Sequence, residues 1–140
     1  LRVNVERYDL HELKSGITAL PQTINDADAI IIEGTIEWYG IGGYIPSFLD
    51  ACWLYGDKAK ISETYMFPIV MSKAYGEKEK HAELMNAWEI LGGKSCTGIA
   101  AWVGVPAPVG RCAALLPLCG KARWERLAFL QRFQYTKREL

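Results

Sequence analysis

The chain has 140 residues, half of them hydrophobic and 23% charged, which is the make-up of a single globular domain with room for a real core. Lys plus Arg equals Asp plus Glu, at 16 each, so no whole-chain field favours nucleic acid or an anionic membrane. No apolar run approaches the ~20 residues of a membrane span, and the opening residues read as a strand rather than a secretory signal.

The charge is unevenly placed. Residues 104–140 hold seven Lys or Arg against two Glu, and residues 1–103 carry the compensating negative excess. The four cysteines, at 52, 96, 112 and 119, show no CxxC spacing. They read as free buried thiols in a reducing cytoplasm, not as a disulfide framework or a zinc site. Nothing in the sequence argues for a bridge between Cys112 and Cys119.

Residues 1–10 alternate apolar and polar side chains, the pattern of a half-exposed strand at a sheet edge. Residues 11–20 read as loop and turn, and 21–27 as a short helix. Ala29-Ile30-Ile31-Ile32-Glu33 is a short apolar run, as expected for a strand buried on both faces of a parallel sheet. It runs into a loop carrying Gly34, Gly40, Gly42 and Gly43 with Trp38, Tyr39 and Tyr44. Ligands of parallel sheets lie beyond the carboxyl ends of the strands, and a glycine-rich loop admits close backbone approach. A tight strand-to-helix turn with no ligand is the equal alternative.

A helix is predicted from 45 to about 54, with Ile45, Phe48, Leu49 and Cys52 on one face and Pro46 in its first turn. Gly56-Asp57-Lys58 ends it. Residues 65–71 form the next apolar run, a second buried strand, although Pro68 lacks the N–H that a central strand needs. Residues 72–76 follow as a loop. The clearest helix is 77–91, with Leu84, Met85, Trp88 and Leu91 as its stripe and Gly92-Gly93 as its stop. Residues 95–103 make a third strand. Strands alternating with helices predict an α/β layered fold with parallel strands. From 104 the composition turns Pro-rich and basic. Residues 104–120 read as irregular, and Trp124, Leu127, Ala128, Leu130 and Gln131 fit a terminal helix over about 121–134.

The run from Asp28 through Gly40, followed by Phe48-Leu49-Asp50, Pro68-Ile69-Val70 and the 86–94 helix end, resembles the flavodoxin-like fold. Within it the match is to the NAD(P)H-dependent FMN reductase family, over residues 1–103. Ile36 stands where the family has Pro, and Ala51 where it commonly has Arg. The resemblance implies a three-layer α/β/α domain over 1–103 with a parallel sheet in the order 2-1-3-4-5, followed by an atypical basic tail over 104–140. Leu1 falls at the family's second strand. The first strand, its phosphate loop and its helix are therefore expected to be absent, the slot between residues 2–8 and 29–33 is expected to lack its strand, and the chain reads as a fragment of a longer protein.

The resemblance further implies FMN as cofactor and NAD(P)H as co-substrate. Hydride would pass through the flavin N5, so the protein supplies position and electrostatics and no catalytic acid–base residue. Thr35, Ile36, Glu37, Trp38, Tyr39 and Gly40 would run along the flavin ring, with Ser72, Tyr75 and Gly76 at its pyrimidine end. No metal ligand is expected, and His11 and His81 read as solvated. The implied protein is a cytoplasmic flavin- or quinone-type reductase, a homodimer passing electrons to a small-molecule acceptor, with no nucleic-acid or membrane partner. Two other readings stay open: an electron-transfer flavodoxin, and a non-catalytic domain or fragment that binds no flavin.

Overall fold

A computed structural model describes residues 4–36, 40–72, 75–102 and 126–131. The fold is α/β, with helices on a parallel sheet. Its strands are β1 (Asn4–Asp9), β2 (Ala29–Ile36), β3 (Tyr65–Ser72), β4 (Lys94–Ser95), β5 (Ile99–Trp102) and β6 (Arg126–Gln131). They run in the order β1-β6-β2-β3-β4, with β5 also on β3, and every pairing is parallel.

The expected terminal helix over 121–134 is corrected at its centre, because residues 126–131 are the strand β6. β6 pairs with β1 from Asn4↔Arg126 to Asp9↔Gln131 and with β2 from Ala29↔Leu127 to Glu33↔Gln131. It thus lies in the slot that the resemblance left without a strand. A six-residue apolar run is too short for periodicity to separate helix from strand. Here two flanking ladders supply partners for its backbone N–H and C=O groups. The reading of 104–120 as irregular lies outside the described residues.

Residues 11–20, expected to be loop and turn, are helical, and the short helix expected over 21–27 is present only as far as Thr23, so the stretch forms three short pieces. These are α1 (Leu10–Leu13), a 3₁₀ stretch (Lys14–Ala19) and α2 (Leu20–Thr23). Asp9 starts them: its Oδ1 accepts from the His11 N–H at 2.8 Å. α3 (Tyr44–Tyr55) follows β2, and α4 (Lys58–Glu63), not foreseen, follows α3. Asp57 caps α4, its side chain accepting from the Ala59 and Lys60 N–H groups, which satisfies donors that a helix start leaves free. α5 (Glu77–Ile90) ends in paired turns, Gly92 N–H to Glu89 O at 2.9 Å and Gly93 N–H to Trp88 O at 3.0 Å, with Gly92 at φ 97°. That is the glycine stop read from the sequence.

Gly34 belongs to β2 rather than to the loop after it. A Cβ there would lie 2.7 Å from Ile45 Cδ1 and 2.8 Å from Ile41 Cγ1, so the bare backbone is what lets α3 press onto the strand.

Strand alternation divides the sheet into two faces. Ile30, Ile32, Met66 and Val70 point to one face, where they form a continuous core with Leu10, Ile17, Leu20, Ile24, Ile45, Phe48, Cys52, Ile61, Leu84, Trp88 and Leu91. The described helices therefore share that face. Ala29, Ile31, Glu33, Phe67 and Ile69 take the opposite phase and are also buried.

Pro68 sits inside β3 without breaking it. Thr64 O and Met66 O accept from Lys94 and Cys96 N–H groups, whereas the Tyr65 N–H donates to Asp28 O beside β2. Even-numbered residues of β3 thus face the β4–β5 side, and the missing N–H of Pro68 is directed there. The ladder on that side skips one residue: Met66 pairs with Ser95, but Ile69 pairs with Ile99. Pro is tolerated opposite such a bulge.

The bulge holds a further correction. Cys96, expected to be a free thiol, is disulfide-bonded. Cys52 is free and buried, so the partner of Cys96 lies outside the described residues.

Candidate functional site

β2 and β3 end in register, Ile36 opposite Ser72, so the two chain reversals that follow them leave the same edge of the sheet side by side. The two lie close: a Cβ added at Gly76 would come to 3.6 Å from Ile36 Cδ1 at the end of β2. Gly76 has φ 92° and Gly42 has φ 78°, left-handed backbone that favours glycine in each reversal. The end of β1 joins the same edge, where the His11 ring meets the Tyr44 ring edge-on at 5.7 Å. Three strand ends thus converge at the carboxyl side, where parallel sheets bind ligands.

The structure brings together most of the residues singled out in the sequence that it describes. Thr35 and Ile36 are the last residues of β2, half-buried rather than looped out. Gly40 is half-buried, Tyr75 is 54% exposed and Gly76 caps α5. Ser72 is buried, and its hydroxyl donates to Glu77 Oε2 at 2.8 Å, so that proton is spent within the protein. Glu37, Trp38 and Tyr39 lie outside the described residues.

Two polar groups escaped the sequence reading. Glu33 lies within β2 at 2% exposure, and its Oε2 has no hydrogen-bond partner among the described residues. Burial pushes its carboxyl up to about 7, with the positive charge of Arg7 pulling the other way. In the sequence Glu33 stood only as one acid after an apolar run, with no sign that the strand continues past it to Ile36. His81 is not the solvated residue expected. Its Nε2 is buried without a partner among the described residues, and a Cβ on Gly98 would lie 2.6 Å from that atom. Burial pushes its pKa down, because the charged ring has lost its water. The Cys52 thiol is pushed up to about 12 by burial, which removes it as a nucleophile.

A polar recess of about 160 Å³ lies at the opposite end of the strands, lined by Asn25, Asp26, Asp28, Lys60 and Glu63 among others. Asp26 and Lys60 approach to 3.9 Å there. Among the described residues no group of His, Cys, Asp and Glu is arranged to hold a metal ion, and no helix is long and apolar enough to cross a membrane.

The carboxyl edge offers features that a flat ring could use. Adjacent reversals with left-handed glycines, the apolar Ile36 and the exposed ring of Tyr75 suit the rim of a flat ring system. Phosphate recognition at this edge would fall to the chain leaving the strand between β1 and β2. That strand is β6, and residues beyond Gln131 lie outside the described ones. Compared with known protein families, curated proteins and solved structures, the chain matches none.

Proposed function

We propose that this chain is an FMN-dependent NAD(P)H oxidoreductase of the flavin- or quinone-reductase type, or the ring-binding part of one. The observation that supports it is the closeness of Ile36 and Gly76 at the carboxyl ends of neighbouring parallel strands. Backbone groups of Thr35, Ile36 and Gly76 would hold the polar rim of the ring, and Tyr75 would shield it from water. FMN would supply hydride acceptance and release at N5. The protein positions and polarises, and needs no acid–base pair. A cytoplasmic homodimer serving a small-molecule electron acceptor belongs to the same proposal. In a reducing compartment the Cys96 disulfide would be a transient bond rather than a permanent staple.

One observation favours a second reading, a domain that binds no flavin: the Ser72 hydroxyl closes on Glu77 instead of remaining available to a ring. Mixing the protein with FMN and then NADPH separates the two. Under the first reading, flavin fluorescence is quenched on binding and the flavin absorbance bleaches with NADPH. Unchanged fluorescence at saturating protein selects the second.

A further inference from the structure

His81 meets the sheet where the edge ladder skips a residue. Met66 pairs with Ser95 and Ile69 with Ile99, so the bend between β4 and β5 carries one residue more than β3 does. α5 packs on β3, β4 and β5 around that bend. Gly98 is held there from two sides: a Cβ added to it would lie 1.9 Å from Pro68 O on β3 and 2.6 Å from His81 Nε2 on α5. The bare glycine backbone thus fills the gap between strand and imidazole. Nε2 is buried and has no hydrogen-bond partner among the described residues. In the neutral ring one nitrogen donates and the other accepts, whereas in the charged ring both donate. Protonation therefore fixes a charged N–H at Nε2, facing a glycine backbone and cut off from water, which is costly. The ionisable groups on the surrounding elements are engaged elsewhere or turned to solvent. Glu77 accepts from Ser72, Lys80 pairs with Glu83, Glu89 accepts from Ser95 and Lys94 lies over the Tyr65 ring. Lys78 and Glu79 are exposed, Cys96 is disulfide-bonded, and β5 carries no ionisable side chain.

We propose that His81 is an acid-sensitive latch: a proton taken up at Nε2 parts the bend at residues 96–98 from α5 and loosens the β4–β5 edge of the sheet. The proton comes from solvent and bonds to the Nε2 lone pair, and no covalent bond breaks. With the latch closed, the charged ring has neither water nor a partner. With it open, the ring regains water. The open arrangement therefore binds the proton more tightly, and falling pH draws the chain towards it. Burial, the cause that lowers the pKa of His81, acts in that direction. The ladder between β2 and β3 does not use the bend, so the centre of the sheet stays closed. The latch stands whether or not the chain binds flavin.

Amide hydrogen exchange of the full chain between about pH 7 and pH 5 tests it, corrected for the intrinsic pH dependence of exchange and repeated on His81→Gln. The expected result is protection at residues 96–99 that falls by up to about tenfold per pH unit below 6.5, one proton being taken up on opening. Residues 30–32 should keep their protection, and His81→Gln should show no such fall. Protection at 96–99 that holds or rises in the natural chain overturns the latch, since the proton is then accommodated in place. An equal loss at 30–32 also overturns it, because proton uptake would then belong to global unfolding. So does the same fall in His81→Gln. Should that variant not fold, the His81 ring is titrated by nuclear magnetic resonance in the natural chain. A midpoint below 6.5 that coincides with the loss of protection supports the latch, and a midpoint at or above 6.5 overturns it.

Discussion

Gly98 is pressed against the carbonyl of Pro68: a Cβ at Gly98 would stand 1.9 Å from Pro68 O and 2.7 Å from Pro68 Cδ. The contact sits where the edge ladder skips a residue, so one glycine and one proline together explain how β3 stays whole. Gly98→Ala is expected to destabilise the protein by about 3 kcal/mol, the upper range for overpacking against atoms that cannot move aside. Urea unfolding monitored by circular dichroism measures it. A loss of a few tenths of a kcal/mol would mean that the bulge relaxes freely.

Glu33 should make stability depend on pH. Its folded carboxyl titrates at about 7 against an ordinary value of 4.5. The protonated form is the one that the fold tolerates. Its contribution is complete below 4.5 and is lost as pH rises through about 7. The shift corresponds to about 3 kcal/mol. Glu33→Gln should therefore be more stable than the natural chain at about pH 8 and lack that slope. Parallel stability–pH curves for the two proteins would contradict the assignment.

His81 works in the opposite direction. Burial holds its pKa below 6.5, so its contribution is present above that value and is lost as pH falls. His81→Gln cannot take up the proton. Relative to the natural chain, it should lose less stability between about pH 7 and pH 5, read from thermal melts at each pH.

Trp88 is 1% exposed, donates its indole N–H to Thr64 O at 3.2 Å and lies against the bare backbone of Gly93. Trp88→Ala should cost about 3–5 kcal/mol through the cavity it leaves. Trp88→Phe should cost less, about 1–2 kcal/mol for the hydrogen bond and the smaller ring. Denaturant midpoints of the two variants test the ranking.

The sequence was most informative where burial leaves a long signature. The apolar runs at 29–33 and 65–71 and the stripe of Leu84, Trp88 and Leu91 located β2, β3 and α5. The pieces between Leu10 and Ala19 were missed because helices this short show no period, whereas α2 falls at the start of the helix read over 21–27. α4 was missed although Asp57 advertised a cap. Arg126–Gln131 misled because Leu127 and Leu130 suit a helix as well as a strand, and pairing with β1 and β2 decides between them from far away in sequence. The Cys96 disulfide has no local signal, since it depends on which chain segments meet in space. At the candidate site, the adjacency of Ile36 and Gly76 followed from reading 29–33 and 65–71 as neighbouring parallel strands. The orphaned oxygen of Glu33 depends on the packing around it and could not be read from its neighbours in the chain.

The central claim is that the two reversals after β2 and β3 cradle a flat ring. Titrating FMN into isotopically labelled protein and following backbone amide shifts tests it most directly. The account predicts saturable shifts at Thr35, Ile36, Tyr75 and Gly76, with Asn25, Asp28 and Glu63 at the far end of the strands unmoved. Saturable binding that moves the far end and leaves Ile36 and Gly76 still, or no shift at any concentration of FMN, would contradict it.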